Sequence, residues 1–286
     1  MFEGNPLVST FHHWAELGRM SRALNPGLEA RWKSVKRIIS AAEVMRYAQS
    51  TRLRSLLQQS SSRLSPLGDP LLSDFDLHRW LVGEREEIYS DWLEWVVKQL
   101  PTPKDILEVF GIEESKEVTE KLLTFSTARE VVVRLPHWKS FKKLDLVIRC
   151  DGCVLLVIEV KKTSPEGADV AKQDEYAAWA ESQPEANKYL LLLAREGERP
   201  EYHRFRLWTY WDLCLHLREK VCRLIEQRHI TIATGALVIA YLGALEQNLL
   251  GLSSAAAQRA FRGETTPMAR DLTEYLEHFV GRESGQ

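Results

Sequence analysis

Two apolar runs, Leu144–Ile148 and Val154–Ile158, flank an Asp151-Gly152 pair, and the first is interrupted only by Asp145. Dense runs of this length around an Asp-Gly turn signal predict a β-hairpin whose strands are buried on both faces. A third strand is expected at Glu130–Leu135, broken by Pro136-His137-Trp138, and a fourth at Tyr189–Ala194. Phe205–Thr209 reads as a short edge strand. Elsewhere the apolar period is helical. Leu28, Trp32, Val35, Ile38, Ile39, Ala42, Met45, Leu53, Leu56 and Leu57 mark a helix over residues 28–60. Tyr89, Leu93, Val96, Val97 and Leu100 form one stripe of a helix that ends before Pro101.

Residues 104–127 are mixed and acidic, with one short helix and a loop or second helix near Glu117–Leu123. After the hairpin, Ser164–Gly167 reads as a turn and 168–182 as a helix, with Gln173, Tyr176, Ala177 and Ala180 on one face. Trp211, Leu213, Cys214, Leu217, Val221, Leu224 and Ile225 make another amphipathic helix. Ile230–Leu245 is almost wholly apolar but too short to span a bilayer. It reads as a buried helix, against the core or in a homodimer contact through the C-terminal helices. A last helix is expected over 266–281.

The order of strands and helices predicts an α/β fold, a mixed central β-sheet flanked by helices. Helical N-terminal and C-terminal extensions flank it, dividing the chain as 1–79, 80–210 and 211–286. A chain of 286 residues buries a substantial core, and 44% hydrophobic with 27% charged content is ordinary for a globular protein. The net charge of −2 gives no global signal for nucleic acid, so any such surface is a local patch. The helix over 28–60 offers one, with Arg31, Lys33, Lys36, Arg37, Arg46, Arg52 and Arg54 against Glu29 and Glu43. A solvated helix face explains the same pattern equally well. No basic segment followed by an apolar core opens the chain, so a cytoplasmic protein away from the membrane is expected. Four cysteines fit a reducing compartment. Cys150 and Cys153 lack the second ligand pair of a zinc site and read as packing or turn residues.

The chemistry sits in the hairpin. Asp145, Glu159 and Lys161 are charges placed in strands that read as buried, where a lone charge is costly. A two-residue turn would put Asp145 and Glu159 on opposite faces. A three-residue turn, Cys150-Asp151-Gly152, pairs Asp145 with Val157 and brings Asp145, Glu159 and Lys161 to one face, and this register is the expectation. Two carboxylates beside an ammonium suit a hard cation: Mg²⁺, with Mn²⁺ able to substitute, held by Asp145, Glu159 and the Val160 carbonyl. Lys161 would then orient or help deprotonate an attacking water, which is the chemistry of phosphodiester hydrolysis. The plain alternative is a buried ion pair between Lys161 and one acid.

Asp145 followed after a strand-length gap by Glu159-Val160-Lys161 resembles the D…(E/D)-x-K signature of the PD-(D/E)XK nuclease superfamily, with Leu144 where Pro often stands. The segment Gly243–Gly251 is similar to a C-terminal segment in bacterial members. The resemblance covers about residues 80–210 and implies a restriction-endonuclease-like core and a Mg²⁺-dependent nuclease acting on DNA, with a nuclease of RNA as an alternative that the sequence leaves open. It also implies a further acid from a helix before the hairpin. Extending the helical stripe backward lands on Glu86, with Glu87 as the fallback and Asp91 and Glu94 turned to solvent. On the helix after the hairpin it implies a supporting glutamine, matched by Gln173. Tyr176 follows one residue too early for the usual Q-x-x-x-Y spacing, and Lys172 is left between phosphate contact and solvent. The competing readings are a catalytically silent nucleic-acid-binding protein and a helical interaction protein built on the same fold.

Overall fold

The computed structural model describes residues 26–64, 67–72, 80–81, 83, 85–133, 141–162, 170–195, 204–252 and 266–281. Two compact units divide the chain, Met1–Arg52 and Leu53–Gln286. The first contains the start of helix α1 (Pro26–Arg63), along which Ile38, Val44, Met45 and Tyr47 are exposed. The basic residues Lys33, Lys36, Arg37 and Arg46 are exposed there too. The expected break at Pro136-His137-Trp138 and the turn at Ser164–Gly167 lie outside the described residues.

The second unit is built on a five-stranded mixed sheet in the order β1 (Phe125–Val133), β2 (Lys142–Cys150), β3 (Val154–Val160), β4 (Asn187–Ala194), β5 (Arg206–Thr209). The first three strands are antiparallel and the last two run parallel to β3. Every residue of β3 is buried, as its unbroken apolar run requires in a strand with a layer on each face. One face carries Leu146, Ile148, Leu156 and Ile158 into a core shared with helices α2 (Glu86–Gln99), α3 (Pro103–Val109), α6 (Tyr210–Glu226), α7 (Ile232–Asn248) and α8 (Thr266–Gly281). The opposite face carries Val147, Leu155 and Val157 against Tyr176 and Ala180 of α5 (Val170–Glu181). The six-residue helix α4 (Lys116–Lys121) leads into β1.

Local chemistry sets the helix starts. Thr102 and Asp105 form a reciprocal capping box with Pro103 at the first turn of α3. Thr209 and Asp212 do the same for α6, so β5 turns into that helix without a loop. Glu94, expected to face solvent from α2, instead ties that helix to β1, while Asp91 is exposed as expected and reaches β1 from the surface. Asp91 pairs with Arg129, and Glu94 accepts from the Thr127 hydroxyl at 2.8 Å. Polar β1 residues face α2 there, which periodicity within α2 does not register. The apolar run of α7 packs into the core as expected, although Ile232 at its start is 73% exposed.

Arg218 of α6 is fully buried and is the hub of the C-terminal helices. Its guanidinium takes both oxygens of Glu246 on α7, at 2.9 and 2.7 Å. It also meets Asp69 at 2.8 Å and the Ser60 hydroxyl at 2.6 Å. Tyr275 of α8 donates its hydroxyl to Glu246. A bidentate guanidinium with its remaining donors satisfied is the arrangement in which a buried charge is tolerated. Among the described residues no helix is long and apolar enough to cross a membrane.

Candidate functional site

The β2–β3 hairpin pairs Cys150 with Val154 and ends its ladder at Leu146 with Ile158, a register that carried one residue further would set Asp145 opposite Glu159. The connection is Asp151-Gly152-Cys153, one residue later than expected, and the pairing is displaced by two residues from the expected Asp145–Val157 partners. The cause is the left-handed conformation of Asp151 (φ 43°), which precedes a second left-handed residue, Gly152 (φ 66°). The Asp151 carboxylate holds that shape by accepting the main-chain N–H of Leu123, that of Thr124 at 2.7 Å, and the Thr124 hydroxyl. Because the displacement is even, it brings Asp145 to Glu159 all the same.

Simple strand alternation does not complete the placement. Leu146 packs on the α2 side of the sheet, whereas Leu144, two residues earlier, packs on the α5 side. The β1–β2 ladder skips the Glu130–Asp145 pair at this point, and Glu130 has a φ of 48°. Both strands therefore reverse face at Asp145. Its carboxylate accepts the main-chain N–H of Val160 at 2.8 Å, beyond the last ladder pair of β2 and β3. A strand residue directs its N–H and C=O toward the same neighbour, so the Val160 carbonyl opens on the Asp145 side. The next N–H, that of Lys161, turns the other way and donates to Leu193 of β4 at 2.7 Å.

Glu159 is 1% exposed and lies at the centre. Its Oε1 meets the Lys172 ammonium of α5 at 2.7 Å and that of Lys161 at 3.2 Å. Its Oε2 is buried without a hydrogen-bond partner. From the other layer, Glu86 in the first turn of α2 takes Lys161 Nζ at 3.1 Å and the main-chain N–H of Lys162 at 3.1 Å. Glu86 thus reaches the hairpin end as a partner of Lys161, while Glu87 is exposed. Gln173 is buried on α5 with its side-chain oxygen unpartnered. Tyr176 donates to the Lys143 carbonyl, fastening α5 to β2, and Lys172 lies 5.1 Å above its ring. Lys172 is the residue that sequence reasoning left undecided. Its place one residue before Gln173 was the available signal.

The charges act on one another. Burial, together with the adjacent Glu159 charge, pushes the Asp145 carboxyl up to about 7. Burial works to lower the Lys161 ammonium, but Glu159 and Glu86 outweigh it and hold the pKa above its ordinary value. The buried Glu159 with its orphaned oxygen, the half-buried Asp145 and a carbonyl on the same side form an oxygen donor set. Such a set suits Mg²⁺ or Mn²⁺, which bind through one or two carboxylates and retain several waters. It is not a full protein cage. Among the described residues no three His, Cys, Asp or Glu side chains are grouped to hold a metal, and Glu86 is engaged by Lys161. Cys150 and Cys153 are free thiols at the hairpin turn.

Comparisons with protein-family models, with curated proteins and with solved structures found no match to this chain.

Proposed function

We propose that the protein is a Mg²⁺-dependent nuclease of the PD-(D/E)XK type, with a restriction-endonuclease-like core, hydrolysing phosphodiester bonds of DNA. The observation that carries this reading is the convergence of Asp145, Glu159 and Lys161 at the end of β3, with Glu86 fixing the lysine from a separate helix. In this reading Asp145, Glu159 and the Val160 carbonyl hold the cation. When bound, it supplies Lewis-acid stabilisation of charge on a phosphoryl oxygen. Lys161, held between Glu159 and Glu86, presents an oriented N–H donor to the attacking water and to the developing negative charge. Glu86 keeps that ammonium at one place rather than letting its long stem wander. Gln173 supports the site from α5.

The two ammonium groups on Glu159 favour one rival, a catalytically silent member that binds nucleic acid with a charge-satisfied site. Incubation of the purified protein with plasmid, linear duplex, single-stranded DNA and RNA, with Mg²⁺, Mn²⁺ or EDTA, separates the two. Cutting that needs metal and is lost in Asp145→Ala and Lys161→Ala is the expected result. Binding without cutting at any metal would establish the silent protein instead.

A further inference from the structure

Helix α1 carries a basic face for which the proposed chemistry has no use. Lys33, Lys36 and Arg37 stand at i, i+3 and i+4, neighbours on one side of the helix, and all three are exposed. Among the described residues no acid is paired with any of them. Ser40 and Tyr47 continue the same face, the latter 73% exposed. Val35, Ile38 and Ala42 fall on the opposite side, and Arg46, nine residues beyond Arg37, lies half a turn round from it. Charge is unevenly shared along the chain. Residues 28–60 hold seven Lys or Arg against two Glu, whereas the whole chain has 38 bases and 40 acids, leaving 31 and 38 elsewhere. On balance the rest of the chain repels a polyanion and this helix attracts one.

We infer that the face of α1 built by Lys33, Lys36 and Arg37 is a docking surface for the phosphate backbone of duplex DNA. The choice of DNA as the polyanion rests on the proposed nuclease reading; the exposed, unpaired cations do not depend on it. Each ammonium or guanidinium that meets a phosphate releases condensed counterions, so three such contacts contribute about −2.7 to the slope of log affinity against log salt. Ser40 and Tyr47 offer uncharged hydroxyl donors to the same backbone. Contacts of this kind fix a protein on the duplex without reading its sequence.

Fluorescence anisotropy of the full chain with labelled duplexes of several sequences, in EDTA and from about 50 to 200 mM salt, tests this. The triple variant Lys33→Ala, Lys36→Ala, Arg37→Ala should bind every duplex about 10-fold or more weakly at the lowest salt and flatten the slope by about 2–3. Alanine favours the helix, so circular dichroism and melting should match wild type. Arg46→Ala, on the other side of α1, should leave the slope unchanged. Equal affinity and slope in the triple variant and wild type overturn the docking surface, and leave the nuclease reading standing if Mg²⁺-dependent cutting persists. Salt-dependent binding lost in the triple variant, with no cutting by wild type at any metal, keeps the surface and removes the nuclease. Wild type that ignores duplex DNA but binds RNA or phosphatidylserine vesicles through these residues overturns the choice of partner, as does binding to none of the three.

Discussion

The ammonium of Lys161 and the carboxylate of Glu86, 75 residues apart in the chain, meet at 3.1 Å. That contact ties the last charge of the hairpin to the first turn of α2, across the boundary between sheet and helical layer. If Lys161 aims its N–H at the water and the developing charge, Lys161→Met should lower cleavage about 10²-fold or more, the range for loss of one such preorganised donor. Glu86→Gln keeps the shape but removes the charge that fixes the lysine, and should lower cleavage about 10-fold to 100-fold. Single-turnover rates at saturating DNA measure both, and retention of near-wild-type rates in Glu86→Gln would remove it from the site.

Asp145 gives the ion-free protein an unusual pH dependence. Its carboxyl titrates near 3.8 in an unfolded chain and at about 7 in the folded one. Between these values the folded state holds a proton that the unfolded state has lost, so stability falls as pH rises through this window and levels off above it. The melting temperature of the metal-free protein, measured from pH 4.5 to 8 relative to Asp145→Asn, should therefore decline and then flatten. Added Mn²⁺ should stabilise most above pH 7, where the carboxylate is already ionised.

The hairpin was legible because charges stand out in apolar strands, and Glu86 because its helix has a clear stripe. The turn was placed one residue early. What fixes it is the bonding of Asp151 to Thr124, 27 residues distant, and no local pattern carries that contact. Lys172 was left open for a similar reason. On a helix whose apolar face is defined by Tyr176 and Ala180, a neighbouring lysine reads as a solvent residue until the sheet beneath supplies Glu159. Glu94 shows the converse error, since a charge opposite an apolar stripe need not face water when a polar strand lies across from it.

Arg218 and Arg223 lie on the same helix and should respond differently to truncation. Arg218→Met leaves Asp69 and Glu246 buried without their cation and should cost about 3–5 kcal/mol. Arg223, 42% exposed beside Glu108 and Glu219, should lose less than about 1 kcal/mol on replacement by Ala. Urea unfolding midpoints at constant slope give both values.

Gly111, at a φ of 57°, lies against the Trp208 ring, and a methyl group there would overlap the indole. Gly111→Ala should destabilise by about 1–3 kcal/mol through crowding and backbone strain together. Urea denaturation followed by far-ultraviolet circular dichroism measures the change.

The Tyr275 hydroxyl on Glu246 has a practical consequence for anyone wishing to isolate the strand-bearing segment. A shortened protein ending before Thr266 would strip a donor from a fully buried carboxylate and would remove Leu272, Leu276 and Phe279 from the common core. The catalytic candidates occupy the middle of the chain, but the residues that keep their platform rigid extend nearly to its end, so the piece carrying the chemistry is not a detachable module.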